Sequence, residues 1–389
     1  MIRREASRHI LAMSKLRPAV IVTGPYHSGK TTLVKKLFPA HAYVNFLDDP
    51  ETCEFARSCP PEFFRRYPGN VVIDEFRLVP ELAAAIRAAA SAERRCGRFI
   101  LVSSRRPYGN AIAPAPGNKL ASATLLPFTI GELAYAGVRF ERDGYIHRGF
   151  MPLIHCVKDA PAKGPEWRGG YHTLYVERHV RSLITTGCGD ALGRFLTLLA
   201  GRVGQAVNLR TYAEETGVAA YTLKSWIEAL EAGFVIFRLP CYTDITGTRG
   251  MMSAPKFYFT DVGLAAHLLG IKNEEHLHRD PQIGNLFENM VVAEALKNCR
   301  NSGKGAALYY FRNRNGLEID LVVKSRGCVV PIEIKCGDQF SASYAENINS
   351  FRKLSAKIAG GYVVYGGAAK AKEGVARFVN YQKIGELID

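Results

Sequence analysis

The sequence predicts an α/β protein in three successive parts: a parallel β-sheet with interleaved helices, a helical middle, and a second α/β part. Three short apolar runs, at 19–23, 70–76 and 99–104, alternate with helical segments, as buried parallel strands do. Residues 191–240 follow a helix, turn, helix, strand order, and the last third alternates an amphipathic helix with further β-runs. We expect the three parts at residues 1–165, 175–245 and 250–389.

The composition indicates a basic protein of ordinary apolar content. The 389 residues include 51 Lys and Arg against 36 Asp and Glu, a formal net charge of +15. This excess favours an anionic partner, most commonly nucleic acid, although a basic surface can also be merely solvated. Apolar runs fall well short of the roughly 20 residues of a membrane span, and the nine cysteines lack the spacing of a zinc site. We therefore expect a cytoplasmic protein with reduced thiols and no membrane partner.

Residues 18–37 carry the most specific motif. They read P-A-V-I-V-T-G-P-Y-H-S-G-K-T-T-L-V-K-K-L, a buried strand, then G-x-x-x-x-G-K-T, then a helix, which is the context of a phosphate-binding loop. Glycines let the backbone approach phosphate, and the loop N–H groups with the helix N-terminus attract it. This predicts a site for ATP and Mg²⁺. The residues expected to contact the nucleotide are Gly24, Pro25, Tyr26, His27, Ser28, Gly29, Lys30, Thr31 and Thr32.

Charged and hydroxyl side chains complete the predicted site. Lys30 would reach the β- and γ-phosphate oxygens, and the Thr31 hydroxyl would ligate Mg²⁺. The run N-V-V-I-D-E-F at 70–76 is an apolar strand that ends in two carboxylates. Asp74 would hold Mg²⁺ through water, and Glu75 would polarise the attacking water. The two aspartates of N-F-L-D-D-P are alternative carboxylates, although that run is more typical of a strand entering a turn.

A third strand, F-I-L-V-S-S, ends in hydroxyl side chains that can sense the γ-phosphate of a bound nucleotide. Ser103 and Ser104 are the candidates, with capping of the strand end as the alternative. Of the two arginines at 105–106, one could be a catalytic arginine, or both could simply be exposed. The Pro- and Gly-rich stretches 107–118 and 158–171 predict a flexible loop and a linker.

Residues 191–240 predict a compact helical unit with the outline of a winged helix-turn-helix. Asn208 suits an N-cap, and Gly217 suits the turn before a second helix at 220–230. The apolar strand 234–239 follows. A DNA-binding version would present four residues of the second helix to the major groove, and the same shape also serves as a protein-docking module. The four residues are Tyr221, Thr222, Lys224 and Ser225.

The last third contains a second set of charged residues in apolar surroundings. Glu288 lies in the amphipathic helix 283–296, and Asp320 interrupts the β-run I-D-L-V-V. Glu333 and Lys335 alternate in V-V-P-I-E-I-K-C and therefore share one face of a strand. This pattern resembles the PD-(D/E)xK core of a restriction-endonuclease-like α/β fold. There Asp320 and Glu333 would bind a divalent metal and Lys335 would position or activate water. An active nuclease, a degenerate nuclease fold kept for binding, and an incidental ion pair remain alternatives.

Together these motifs resemble archaeal and bacterial AAA-type ATPases with an N-terminal P-loop domain and a C-terminal DUF4143 domain. The resemblance covers nearly the whole chain. It implies ATP binding and hydrolysis, a winged-helix segment and a nuclease-like C-terminal fold, but no defined physiological role. The segments that carry it include G-P-Y-H-S-G-K-T-T-L, V-V-I-D-E-F-R-L-V-P, L-L-P-F-T-I-G-E-L, Y-V-E-R-H-V, P-K-F-Y-F-T-D-V-G-L-A, G-N-L-F-E-N-M-V-V-A-E-A-L, F-R-N-R-N-G-L-E-I-D and P-I-E-I-K.

The chain departs from the family pattern at several places. The family loop usually reads G-P-R-Q-V-G-K-T, whereas residues 26–28 here are Y-H-S. These positions contribute mainly backbone, so we expect binding to survive. Arg77 stands where the family often has Gln, and E-R-D becomes E-R-H with His179. Arg178 matches the family and is a candidate conformational or trans-acting arginine. A G-G-x-P stretch becomes G-F-M-P at 149–152.

Three functions fit these patterns. The first is an ATP-driven protein that binds or processes DNA. The second is a nucleotide-dependent switch whose rear parts bind a protein, and the third is an ATP-regulated, metal-dependent nuclease. A homo-oligomer is also compatible with the sequence, because a neighbouring subunit could supply the arginine.

Overall fold

A computed structural model describes most of the chain. The described residues are 2–92, 95–106, 120–156, 165–184, 190–244, 254–325, 327–355, 358, 360–368 and 370–388. The predicted loop at 107–118 lies outside them. The linker predicted at 158–171 is wrong where it is described, because Pro165–Tyr175 is a helix. Tyr171 and Tyr175, one helical turn apart, are both buried against the core, and this outweighs the two glycines of the segment.

The first part contains a five-stranded sheet in which every paired strand runs parallel. Its elements are α1 (Ala6–Leu16), β1 (Ala19–Thr23), α2 (Lys30–Leu37), β2 (Ala42–Asn45), α3 (Pro50–Ser58), α4 (Pro60–Arg66), β3 (Val71–Asp74), α5 (Leu82–Ala92), β4 (Phe99–Ser103), β5 (Leu120–Thr124) and α6 (Ile130–Tyr135). The strand order is β2-β3-β4-β1-β5. Every residue of β1, β3 and β4 is buried, as expected for strands covered on both faces. The predicted N-terminal parallel sheet is confirmed, and the carboxyl ends of β1, β3 and β4 meet at one edge.

The middle part is mainly helical, as predicted. Its elements are α7 (Arg142–Arg148), α8 (Pro152–Cys156), α9 (Pro165–Tyr175), α10 (Ala191–Gly201), α11 (Leu209–Thr216), α12 (Ala220–Ala232), β6 (Ile236–Leu239), β7 (Lys256–Phe259), α13 (Val262–Leu268) and α14 (Glu274–Arg279). A π-helical turn, Val176–Val180, extends α9. The Asn208 side chain accepts a hydrogen bond from the backbone N–H of Arg210, and Gly217 ends α11 in a left-handed conformation, so both predicted caps are confirmed.

The two middle strands, β6 and β7, pair antiparallel after α12, and the assignment of this unit as a winged helix-turn-helix stays a prediction. On α12, Tyr221, Lys224 and Ser225 are exposed and Thr222 is half-buried. The use of this face for DNA stays a prediction.

The C-terminal part is a mixed sheet with helices, which confirms the predicted α/β class of this part. Its elements are α15 (Ile283–Ser302), β8 (Ala307–Arg312), β9 (Glu318–Ser325), β10 (Cys328–Lys335), α16 (Glu346–Arg352), β11 (Gly361–Tyr365), β12 (Lys370–Glu373) and β13 (Ala376–Asn380). The strand order is β12-β13-β11-β10-β9-β8. The two strands predicted around the Asn-Gly turn are β8 and β9, which pair antiparallel.

Buried polar contacts join the C-terminal part to the first part. Glu294 of α15 accepts a hydrogen bond from the backbone N–H of Ile130, at 2.8 Å, and so satisfies the start of α6. Lys297 donates to the carbonyl oxygen of Phe128 at 2.8 Å and pairs with Glu294 at 2.9 Å. The largest apolar core cluster continues from Phe128 through the middle part to Ile388. Among the described residues, no helix combines the length and apolar character needed to cross a bilayer.

Candidate functional site

The loop between β1 and α2 borders a cavity of about 690 Å³, a usual size for a small-molecule site. Gly24 is required by close packing, because a Cβ atom there would lie 2.1 Å from the carbonyl oxygen of Leu125. Gly29 has a φ angle of 87°, a left-handed conformation that glycine adopts without strain. It lies directly before α2, whose first three residues line the cavity. The turn therefore directs the N-terminus of α2 at the cavity.

Lys30, the first residue of α2, is buried at the cavity wall. Its ammonium group donates to the carbonyl oxygens of Gly24, at 3.0 Å, and Pro25, at 2.7 Å. Burial lowers the pKa of Lys30 to about 8, although the carboxylates of Glu75 and Asp74 oppose the shift. An anion in the cavity would compete with the two carbonyl oxygens for the ammonium group and would favour its charged form.

The structure brings Thr31 and Asp74 together. The Thr31 hydroxyl donates to Asp74 Oδ2 at 2.6 Å, and the Tyr43 hydroxyl donates to the same oxygen at 2.9 Å. Asp74 is almost fully buried, and its other oxygen accepts the backbone N–H of Glu75 at 2.9 Å. A hydroxyl and a carboxylate oxygen beside a phosphate-sized space are the oxygen ligands that Mg²⁺ prefers in such sites. The sequence predicted that Thr31 and Asp74 would hold Mg²⁺, and their oxygen atoms fit that ion.

Glu75 follows β3 in a strained conformation, with a positive φ of 52° at a non-glycine residue. Such strain is concentrated at functional sites. Arg77 Nε donates to Glu75 Oε2 at 2.7 Å, and the Ser104 hydroxyl donates to Oε1. The nucleotide contact of Ser103 stays a prediction; its hydroxyl donates to the Arg105 carbonyl oxygen at 2.7 Å. Neighbouring residues at the strand end face opposite ways, and Ser104 is the one that lines the cavity.

Part of the cavity wall is apolar, and its contribution to the site was missed by sequence reasoning. It combines residues from the N-terminal segment, from the loop before α6 and from α8. Among them Phe128 lies in the stretch L-L-P-F-T-I-G-E-L, and Pro152 ends the stretch compared with G-G-x-P, but neither was assigned to the site. A wall of this kind suits the flat face of an aromatic base. Its residues are Ile2, Phe128, Pro152, Leu153 and Cys156.

The side chains in the middle of the loop contact the helical part. The Tyr26 ring stacks on the His179 ring, with centroids 4.3 Å apart and planes at 21°, and His27 meets His179 edge-on at 4.7 Å. Arg77 Nη2 donates to the Tyr26 hydroxyl at 2.5 Å. The carbonyl oxygen of Ser28 accepts a hydrogen bond at 2.7 Å from the buried guanidinium of Arg4. The expectation that positions 26–28 contribute mainly backbone is therefore incomplete for Tyr26 and His27, whose side chains make tertiary contacts, whereas the Ser28 contact uses its backbone.

The second predicted cluster is also assembled, at the C-terminal sheet. Lys335 Nζ lies 2.7 Å from Glu333 Oε2 and 3.7 Å from Asp320 Oδ2. Burial, with the nearby Asp320 carboxylate, raises the pKa of Glu288 and that of Glu333 to about 7. All four predicted residues thus belong to one charged cluster.

A further lysine, missed from the sequence, belongs to this cluster. Lys256 of β7 is almost fully buried and lies 2.7 Å from Glu318 and 3.4 Å from Glu288. In the sequence, Lys256 is unusual only as a lysine at the start of the apolar run K-F-Y-F. No group of three or more His, Cys, Asp or Glu side chains suited to a metal ion is present among the described residues. The metal role of Asp320 and Glu333 stays a prediction, and the geometry is that of an ion-pair network.

Comparison with known families covers most of the chain. Residues 16–134 match an AAA domain, residues 140–275 match a domain of unknown function (DUF8612), and residues 283–384 match another (DUF4143). Uncharacterized proteins of Mycobacterium tuberculosis and Mycobacterium bovis are each 27% identical over 336 residues, which is 86% of this chain and 74% of theirs.

Similar solved structures include a Walker-type ATPase of Pyrococcus abyssi, with a TM-score of 0.46 and 12% identity over 69% of this chain and 96% of that one. A signal-transduction ATPase with numerous domains from Pyrococcus horikoshii has a TM-score of 0.21 and 11% identity, over 76% of this chain and 50% of that one. Taken with the loop and carboxylate geometry, the family matches confirm the predicted combination: the chain joins an AAA-type P-loop domain to a C-terminal DUF4143 domain.

Proposed function

We propose that this protein binds ATP with Mg²⁺ and hydrolyses it. The observation that carries the proposal is the convergence of Lys30, Thr31, Asp74 and Glu75 on one cavity, beneath a loop of matching sequence. Lys30 and Thr31 begin α2, whereas Asp74 ends β3 and Glu75 follows it, so their meeting is not a property of the loop motif alone. The apolar part of the cavity wall supports contact with the base of a nucleotide whose phosphates meet Lys30.

Each residue has a physical role in this proposal. Lys30 would exchange its two carbonyl partners for phosphate oxygens. Thr31 and Asp74 would hold Mg²⁺, which when bound neutralises charge on the phosphates. Glu75 would accept a proton from the attacking water and orient it toward the γ-phosphate. Hydrolysis in such a site depends on positioning and charge stabilisation, with little covalent chemistry for the protein.

Two substitutions test the proposal. We expect Lys30→Ala to abolish the heat of binding in a titration with ATP and Mg²⁺, because the phosphates lose their buried cation. We expect Glu75→Gln to bind ATP with unchanged affinity but to release phosphate at less than about one hundredth of the wild-type rate. Lys36→Ala, which removes an exposed lysine from the same helix, is the control for loss of charge. Wild-type turnover in both test variants would contradict the assignments.

We further propose that the nucleotide state controls how the middle part meets DNA. The net charge of +15 and the exposed Tyr221, Lys224 and Ser225 on α12 support this partner. Fluorescence anisotropy with labelled duplex DNA at several salt concentrations, with and without ATP, tests it. We expect affinity to fall as salt rises, and Lys224→Ala to weaken binding and to flatten the salt dependence. No binding at low salt would favour a protein partner instead.

The nuclease alternative has weaker support. Lys256 and Lys335 lie within contact distance of the carboxylates that would bind a metal. Two ammonium groups already supply much of the positive charge that a divalent ion would bring. A nucleotide-controlled binding function therefore fits the C-terminal part better than DNA cleavage does.

A further inference from the structure

Glu75 is connected to the middle part through a continuous set of side-chain contacts. Its Oε2 atom accepts from Arg77, which also donates to the Tyr26 hydroxyl. The Tyr26 ring stacks on His179, which lies in the π-helical turn after α9. Tyr26 therefore contacts both Arg77 and His179, and residues from three distant stretches of sequence form one series of contacts.

A second set of contacts leaves the other oxygen of Glu75. Oε1 accepts from Ser104, at the end of β4. The next residue, Arg105, donates through its guanidinium to the carbonyl oxygen of Ser182, at 2.6 Å. The backbone N–H of Arg106 donates to the carbonyl oxygen of Ala232, the last residue of α12, at 2.8 Å. Both oxygens of Glu75 are thus linked to the helical part, one through Arg77 and Tyr26 and the other through the backbone that follows Ser104.

Each oxygen of Glu75 therefore already accepts a hydrogen bond from a protein donor. A carboxylate held on both oxygens by a guanidinium and a hydroxyl is fixed toward those donors and is less available to orient an attacking water. Glu75 is also almost fully buried, so solvent does not compete well with these partners. Its observed state is therefore unsuited to the role that the proposed hydrolysis needs.

We propose that Arg77 and Tyr26 are positioning residues that hold Glu75 in an unproductive state, and that a shift of the middle part at His179 releases it. The proposal rests on the ATPase function proposed above and names the regulation of that site. Because coupling between two sites is reciprocal, occupation of the nucleotide cavity would in turn alter the position of the middle helices. A partner bound to the middle part would then change the rate of hydrolysis.

Steady-state phosphate release, with ATP affinity measured separately by calorimetry, tests this inference. We expect Arg77→Gln to raise kcat about tenfold with unchanged ATP affinity, because the guanidinium no longer pairs with Glu75. Tyr26→Phe, which removes only the hydroxyl, and His179→Ala, which removes the stacked ring, should raise kcat by a smaller factor. His179→Phe keeps a ring in place and should restore the wild-type rate. Arg65→Ala, an exposed arginine paired with Glu62, is the matched control.

The outcomes separate this inference from the ATPase proposal. If the wild type binds ATP but Arg77→Gln lowers kcat or leaves it unchanged, the inference is wrong and the ATPase proposal stands. If His179→Phe behaves like His179→Ala, the ring contact is not the link, and the role of the middle part is overturned. If the wild type binds no ATP, both proposals fail. Thermal unfolding of each variant shows whether the comparison is made on folded protein.

Discussion

The protonation of Lys30 gives the sharpest test of the nucleotide site. Burial lowers its pKa to about 8, so about half of the ammonium groups are neutral at pH 8 and about nine tenths at pH 9. The phosphates of ATP favour the charged form and raise this pKa. Binding at pH 8 should therefore take up about half a proton, and above pH 8 the affinity should fall by roughly tenfold per pH unit, or about 1.4 kcal/mol. At pH 6 the group is already charged, so its contribution to uptake should vanish.

Calorimetry in buffers of different ionisation enthalpy measures this uptake directly. The slope of the observed heat against buffer enthalpy is the number of protons bound. Lys30→Arg provides the control, because a guanidinium stays charged throughout this range and should remove the pH dependence of any binding that survives. A wild type that binds ATP at pH 8 without proton uptake would show that Lys30 is already charged, or that it does not meet the phosphates.

Three further predictions concern packing and charge. Lys256→Met should lower the free energy of unfolding by about 3–5 kcal/mol in chemical denaturation, because buried carboxylates lose their cation. Lys324→Met, at an exposed pair, should leave this free energy nearly unchanged, because solvent screens the pair. In titrations with Mn²⁺ of Asp74→Ala, a variant that lacks the carboxylate ligand of the first site, we expect no saturable heat; saturable binding would revive the nuclease alternative. Gly24→Ala should abolish ATP binding, because its Cβ would overlap the Leu125 carbonyl oxygen and displace the loop; binding at wild-type affinity would show that the loop adapts.

The sequence predicts the phosphate-binding loop and the acidic strand well, because both depend on short runs of neighbouring residues. The alternation of strands and helices, the Asn208 cap and the turn at Gly217 also depend on neighbouring residues and were predictable for the same reason. Which of Ser103 and Ser104 faces the cavity cannot be predicted from neighbouring residues, because it depends on the direction of the chain at the end of β4. Helix α9 was missed for a related reason, since burial of its two tyrosines is a tertiary effect.

The contacts that surround the site are the least predictable. Tyr26 and His179 are more than 150 residues apart, and the motifs around them assign no role to either side chain. Lys256 precedes its carboxylate partners by dozens of residues and comes from another part of the fold. Such pairs follow from the packing of whole elements, which periodicity and spacing do not report.

The bonds from Glu294 and Lys297 to the segment before α6 have a practical consequence. A fragment cut after the first part would expose the N–H of Ile130 and the carbonyl oxygen of Phe128, along with the apolar surface around them. Such a fragment should aggregate or unfold, and its failure to bind a ligand would say nothing about the intact chain. Dissection by point substitution is therefore the sound route for this molecule, and unfolding of the front and rear parts should be strongly cooperative.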